Sequence, residues 1–179
     1  MNDIEYTKYL TEIGYCSAAV GISPGYDIEK CMGRFGPPYA NMLLEKGKKF
    51  FIKDNEDILK GCPGFHECLL ADDLQAWLDS SYGMGGFESR EEYYDKTNPM
   101  RFVHHIRQPV LMLNATDDPL CLIENVYNNE YMFEMDPPTC AITVVTETGS
   151  HCSFYEMGMY CWSEKVAFEF LDHALSNDV

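Results

Sequence analysis

Positive charge is scarce in this chain: 13 lysines and arginines stand against 29 aspartates and glutamates, a formal net charge of −16 over 179 residues. Such a surface repels phosphate backbones and anionic headgroups, which excludes nucleic acid as a partner. Long apolar runs are missing too. No stretch approaches the roughly 18 to 20 apolar residues that a membrane span needs, and the charged segment MNDIEYTKYLTEI is unlike a signal peptide. The eight cysteines (Cys16, Cys31, Cys62, Cys68, Cys121, Cys140, Cys152 and Cys161) contain no CxxC pair and no local Cys/His ligand spacing. They read as reduced thiols used as small hydrophobes, which favours an intracellular setting. The adjacent His104 and His105 cannot readily share one ligand face, so no metal is expected there.

What is present suffices for a core: 46% of residues are apolar and 13% aromatic, in a chain of one domain's length. Ser17 to Ile22 is a short, nearly all-apolar run closed by Ser23, Pro24 and Gly25, as in a parallel strand buried on both faces. Val110 to Ala115 and Cys140 to Val145 repeat the strand pattern. Helical spacing marks Met1 to Ile13, with Gly14 as its stop, and Trp162 to Leu175, where Val166, Phe170 and Leu171 share a face. Between Tyr26 and Gln108 lie helical patches (Tyr39 to Ile52, Asn55 to Leu59, Ala71 to Leu78, Ser89 to Tyr94) and no convincing strand. The alternation is that of an α/β protein with a helical insertion over 26–108. Three parallel strands leave unpaired edges, so further strands are expected outside this sequence.

Two strand ends carry the chemistry. In PVLMLNATDDP the acid Asp117 follows an apolar strand, at the end where open α/β sheets place their ligands. In GSHCSF a tight turn after the next strand presents His151. A carboxylate can accept the imidazole Nδ1 hydrogen and stabilise the imidazolium formed in acyl transfer. Asp118 is the second choice for that role. An isolated Asp-Asp-Pro is usually only a turn opener, but an acid and a histidine in this order, each closing an apolar strand, match the last two members of a Ser, Asp, His series.

These stretches resemble a known family. IRQPVLMLNATDDP and GSHCSFYE are similar to the α/β-hydrolase superfamily, in the branch of YheT-like, EMB8-like and ABHD1/ABHD3-like proteins. EYYDKTNP at 92–99, KYLTEIG at 8–14 and SAAVGISPGYDIEKC resemble further segments of that branch, so the likeness covers nearly the whole chain. It implies the C-terminal part of an α/β-hydrolase fold, with Asp117 as acid, His151 as base and the nucleophilic serine upstream of Met1. It also implies a serine carboxylic-ester hydrolase, an esterase or an acylglycerol lipase or phospholipase, that needs no cofactor. The expected partner is a small ester or lipid, with the N-terminal half of the enzyme, and any membrane anchor, outside these residues. Taken alone the chain is then expected to be inactive. The family usually has Gly-Gly-His and then Gly-Phe, where this chain has Gly149, Ser150, His151, Cys152, Ser153 and Phe154, and losing those glycines tightens the backbone allowed to the turn.

One decoy stands out. Gly21-Ile22-Ser23-Pro24-Gly25 fits GxSxG, but the residue after an elbow serine donates its N–H to the oxyanion, and Pro24 has none. Thiol nucleophiles at Cys16 or Cys152 are a lesser alternative. Phe50, Phe51, Phe65, Trp77, Tyr82 and Phe87 could line a lid over an acyl pocket, or be ordinary helix residues. The rival from another class is a non-catalytic short form that binds a protein partner through a bare sheet edge.

Overall fold

The computed structural model describes residues 16–32, 35–133, 140–157 and 160–176. The helix expected over Met1 to Ile13 lies outside them. The chain divides into two compact units, residues 1–27 with 99–179, and residues 28–98.

The first unit is built on a parallel sheet of β1 (Ala19–Ile22), β2 (Val110–Ala115) and β3 (Ala141–Thr146), in that order. Ile22 pairs with Leu113, and Ala115 with Thr146, so the three C-terminal ends lie together. As a central strand β2 buries five of its six residues, Leu111 to Ala115, and its apolar run has two faces to fill. On one face Leu111, Leu113 and Ala115 pack with Phe154 and with Val166 and Phe170 of the C-terminal helix (Trp162–Ser176). On the other, Met112 packs with Tyr26, Val103, Val126 and Met132. β1 is only half-buried, contrary to the sequence reading. Among the described residues its one strand partner is β2, which makes it an edge strand there.

The second unit is helical, with helix boundaries that differ from the patches read in the sequence. Its helices are α1 (Ile28–Met32), α2 (Pro37–Lys46), α3 (Glu56–Leu59), α4 (Phe65–Leu70), α5 (Leu74–Ser81) and α6 (Arg90–Thr97). Pro at the first turn opens α2, which runs into a π-helical turn, Gly47–Ile52. Asp73 and Ser89 cap α5 and α6 by accepting the N–H groups of Ala76 and Glu92. Asp73 is the reason α5 starts at Leu74 and not at Ala71. Gly64 has φ +82°, and a Cβ there would sit 1.9 Å from the Ser80 carbonyl oxygen, so only glycine fits before α4. Ile52, Leu59, Phe65 and Cys68 form one core, and Leu44, Leu74 and Leu78 another, with Trp77 packed against both. Phe65 is thus a core residue, while Phe50 and Phe51 are exposed.

Cys31 and Cys68 fit the small-hydrophobe reading, and burial pushes the Cys68 thiol up to about 11. Cys140 does not. It is exposed, because β3 begins one residue after it.

A buried polar network fastens the turn after β1. The Tyr26 hydroxyl donates to Asn114 Oδ1 (2.8 Å), Asn125 Oδ1 accepts the Tyr26 N–H (2.8 Å), and Asn125 Nδ2 donates to the Asp27 carbonyl (3.0 Å). Burial pushes the Tyr26 phenol up to about 12, against about 10 for an unfolded tyrosine. The folded state therefore holds this proton more tightly. Its share of the stability is intact below pH 10 and is lost as pH rises from about 10 through about 12. We expect Tyr26→Phe to lower stability near pH 8 by about 1 to 2 kcal/mol, through the acceptor it orphans. In urea unfolding the gap to wild type should narrow by pH 11; a gap that is constant with pH contradicts the assignment.

Candidate functional site

The turn after β2 places two adjacent carboxylates with opposite tasks. Asp118 is buried, its side chain wholly inaccessible. Its Oδ1 accepts the N–H groups of Leu120 (2.8 Å) and Cys121 (2.9 Å), an Asx turn spanning Pro119, which has no N–H of its own. Its Oδ2 lies 3.0 Å from His151 Nδ1. Asp117 faces solvent and accepts the Ser150 N–H at 2.7 Å.

The sequence reading gave the histidine's carboxylate as Asp117. The geometry differs: the carboxylate on His151 is Asp118, and Asp117 holds the backbone next to it. Neighbours in an extended turn point to opposite sides, so one of the pair meets the ring and the other the chain. The signal that singles out Asp118 was present. Asp before Pro, with backbone N–H groups two and three residues on, is an Asx-turn pattern, and such a carboxylate is anchored before it meets any distant partner.

The His151 turn is tightly constrained. A Cβ on Gly149 would lie 2.5 Å from the Phe154 ring and 3.1 Å from the Ala115 methyl, so the chain crosses this point only without a side chain. Ser153 N–H closes the turn on the Gly149 carbonyl at 2.8 Å. Ser150 (φ 47°) and Cys152 (φ 64°) are both left-handed, a conformation that favours glycine. Each costs about 1 to 2 kcal/mol that glycine would not. The ring that results is part-exposed, with 37% of the side chain accessible.

Ser23 belongs to this site in a supporting place. It too is left-handed (φ 50°), lies at the end of β1, and is 4% exposed. Its Oγ accepts the Cys152 N–H at 3.1 Å, and its carbonyl accepts the Cys121 thiol at 3.1 Å. The Cys152 thiol points to the Ile22 carbonyl at 3.6 Å, and Cys16 bonds the Ala18 carbonyl. The His104 and His105 rings adjoin, with centroids 3.9 Å apart and planes tilted by 43°. A cavity of about 450 Å³ beside the turn is lined by Asp117, Gly149, Phe154 and Trp162; Asp118 and His151 are not in its wall. Among the described residues, one ligand atom each from Asp118, Cys121 and His151 lie within 4.8 Å of one another. Sequence spacing could not show this trio, since the strands bring it together from two separate turns.

No protein-family model matches the chain. Among curated proteins it is similar to an abhydrolase domain-containing protein of Dictyostelium discoideum, 28% identical over 96% of the chain and 45% of that protein. It is also similar to monoacylglycerol lipase ABHD2 of Danio rerio, 29% identical over 48% of the chain and 20% of the lipase. To ABHD2 of Homo sapiens it is 46% identical over 35 residues, 20% of the chain and 8% of the lipase. The chain thus spans about half the length of the Dictyostelium relative. Among the described residues no helix is long and apolar enough to cross a membrane. A parallel sheet in sequential order, with similarity over nearly the whole chain to an abhydrolase domain-containing protein and over shorter stretches to ABHD2, supports a partial α/β-hydrolase fold of the abhydrolase-like branch.

Proposed function

We propose that the chain contributes the acid and base of a serine carboxylic-ester hydrolase, with lipid esters such as monoacylglycerols as the substrate class. The observation that carries the reading is the 3.0 Å contact between the buried Asp118 carboxylate and His151 Nδ1. Asp118 accepts the Nδ1 hydrogen, which leaves the lone pair on Nε2 to take a proton from a hydroxyl nucleophile and return it to the leaving alcohol. The imidazolium formed in between is stabilised by a carboxylate that two backbone N–H groups already hold in place. The similarity to monoacylglycerol lipases supports the lipid substrate. The nucleophile, on this reading, is a serine upstream of Met1. Ser23 is a poor substitute, since Pro24 offers no oxyanion donor and the Ser23 oxygen is taken by Cys152 N–H.

Asp118→Asn and Asp117→Asn separate the two carboxylates. In Asp118→Asn the amide oxygen stays with the two backbone N–H groups and the NH₂ turns to the ring. Nδ1 must then accept, and the proton moves to Nε2. In the enzyme that includes the upstream segment we expect kcat to fall about 10⁴-fold, the size seen when a triad acid is so replaced. Asp117→Asn keeps an oxygen for the Ser150 N–H, and activity should stay within about tenfold of wild type. Equal losses, or the larger loss at Asp117, would sink the assignment.

A fluorophosphonate serine-hydrolase probe tests where the nucleophile lies. The 179-residue chain, shown folded by circular dichroism, should not be labelled, and the longer protein should. Labelling of the short chain that disappears in Ser23→Ala would make Ser23 the nucleophile and overturn the reading.

A further inference from the structure

We propose that Asp118, Cys121 and His151 form an inhibitory Zn²⁺ site, in which the metal displaces the proton that joins the acid to the base. The donor set suits the ion. A carboxylate oxygen, a thiolate and an imidazole nitrogen are ordinary zinc ligands, and three protein ligands leave a fourth position for water. Zinc at about 2.0 to 2.3 Å from such atoms spaces them roughly 3.3 to 3.7 Å apart. The ligand atoms here lie within 4.8 Å of one another and Asp118 Oδ2 and His151 Nδ1 are 3.0 Å apart, so that pair opens by a few tenths of an ångström and the longest separation closes by about 1 Å to complete the triangle.

The surroundings favour one side of the exchange. Asp118 Oδ1 is held by two backbone N–H groups, which leaves Oδ2 fixed in place to meet the metal. Cys121 is on the same turn, its thiol pointing at the Ser23 carbonyl, so this sulfur is positioned and does not need to be recruited. The part-exposed His151 ring gives an entry path and a solvent-facing fourth position.

The protons balance. Cys121 loses its thiol proton to solvent, the imidazole proton moves from Nδ1 to Nε2, and Nδ1 and Sγ bind the metal, with one proton released per zinc. The imidazole then carries its hydrogen on the nitrogen that should receive one. Zinc occupancy therefore switches the base off without touching a nucleophile. That consequence rests on the acid–base reading above, whereas the binding of the metal does not.

The test uses the full chain and ZnCl₂, with affinity read by competition against a chromophoric chelator and the His151 ring followed by nitrogen-15 NMR. One equivalent of zinc should shift the His151 ring signals and release about one proton. Cys121→Ser should weaken binding at least tenfold, while Cys140→Ser, at an exposed cysteine outside the site, should leave it unchanged. Zinc that binds the wild type without moving the His151 signals overturns the proposal, and so does an affinity that Cys140→Ser lowers and Cys121→Ser does not. In the longer protein zinc should suppress ester hydrolysis in parallel with binding. Binding that shifts the ring but leaves hydrolysis intact would uphold the metal site and refute the role of His151 as base.

Discussion

The parallel pairing of β2 with both its neighbours is the constraint on which the site depends. Parallel strands end on the same side, so Ser23, Asp118 and His151, each just past a different strand, meet although up to 128 residues of sequence separate them. An antiparallel β3 would carry His151 to the opposite edge of the sheet. Parallel neighbours also demand long crossovers, and the two connections here are long enough to hold whole elements. The one from β1 to β2 contains the entire helical unit. The sheet therefore fixes the chemistry at one edge and leaves the intervening chain free to vary.

The second constraint is local strain. Every non-glycine residue with positive φ among the described residues, Ser23, Ser150 and Cys152, lies in the two turns that meet at His151. At about 1 to 2 kcal/mol each, such conformations persist only where neighbours fix them. The bonds that do so are identifiable: Asp117 to the Ser150 N–H, Ser23 to the Cys152 N–H, and Gly149 to the Ser153 N–H. Two of the three come from other strand ends. The histidine turn is thus held by the same convergence that brings it to the acid.

The sequence carried the skeleton of this arrangement better than its details. β2 and β3 are plain as short apolar runs closed by turn residues, too short for a helix, and the C-terminal helix is plain from the helical spacing of its apolar face. The helix Phe65–Leu70 was hidden, since its six residues are too few to show a period and the Cys-Pro-Gly before it reads as a break. The π-helical turn at Gly47–Ile52 was also hidden; Gly47 lies against the Trp77 ring, a contact between residues 30 apart that no local pattern records. Both aspartates stood out as candidates. The Asx-turn pattern before Pro119 separates them, marking Asp118 as the anchored carboxylate, and the side of the turn that faces β3 brings that carboxylate to the ring.

Ser23 shows what a short motif does and does not specify. Gly-Ile-Ser-Pro-Gly asks for a sharp bend at the end of a strand, and the chain makes one, with the serine in the left-handed conformation that an elbow requires. The bend is the part that five residues can encode. Whether the hydroxyl attacks or braces is decided by the groups around it. Pro24 removes a backbone donor from the position where an oxyanion would need one, and Cys152 N–H, 129 residues away in sequence, occupies the oxygen. The same backbone geometry that would serve a nucleophile here serves to seat the histidine turn, so the chemistry of this strand end is written in its neighbours and not in its motif.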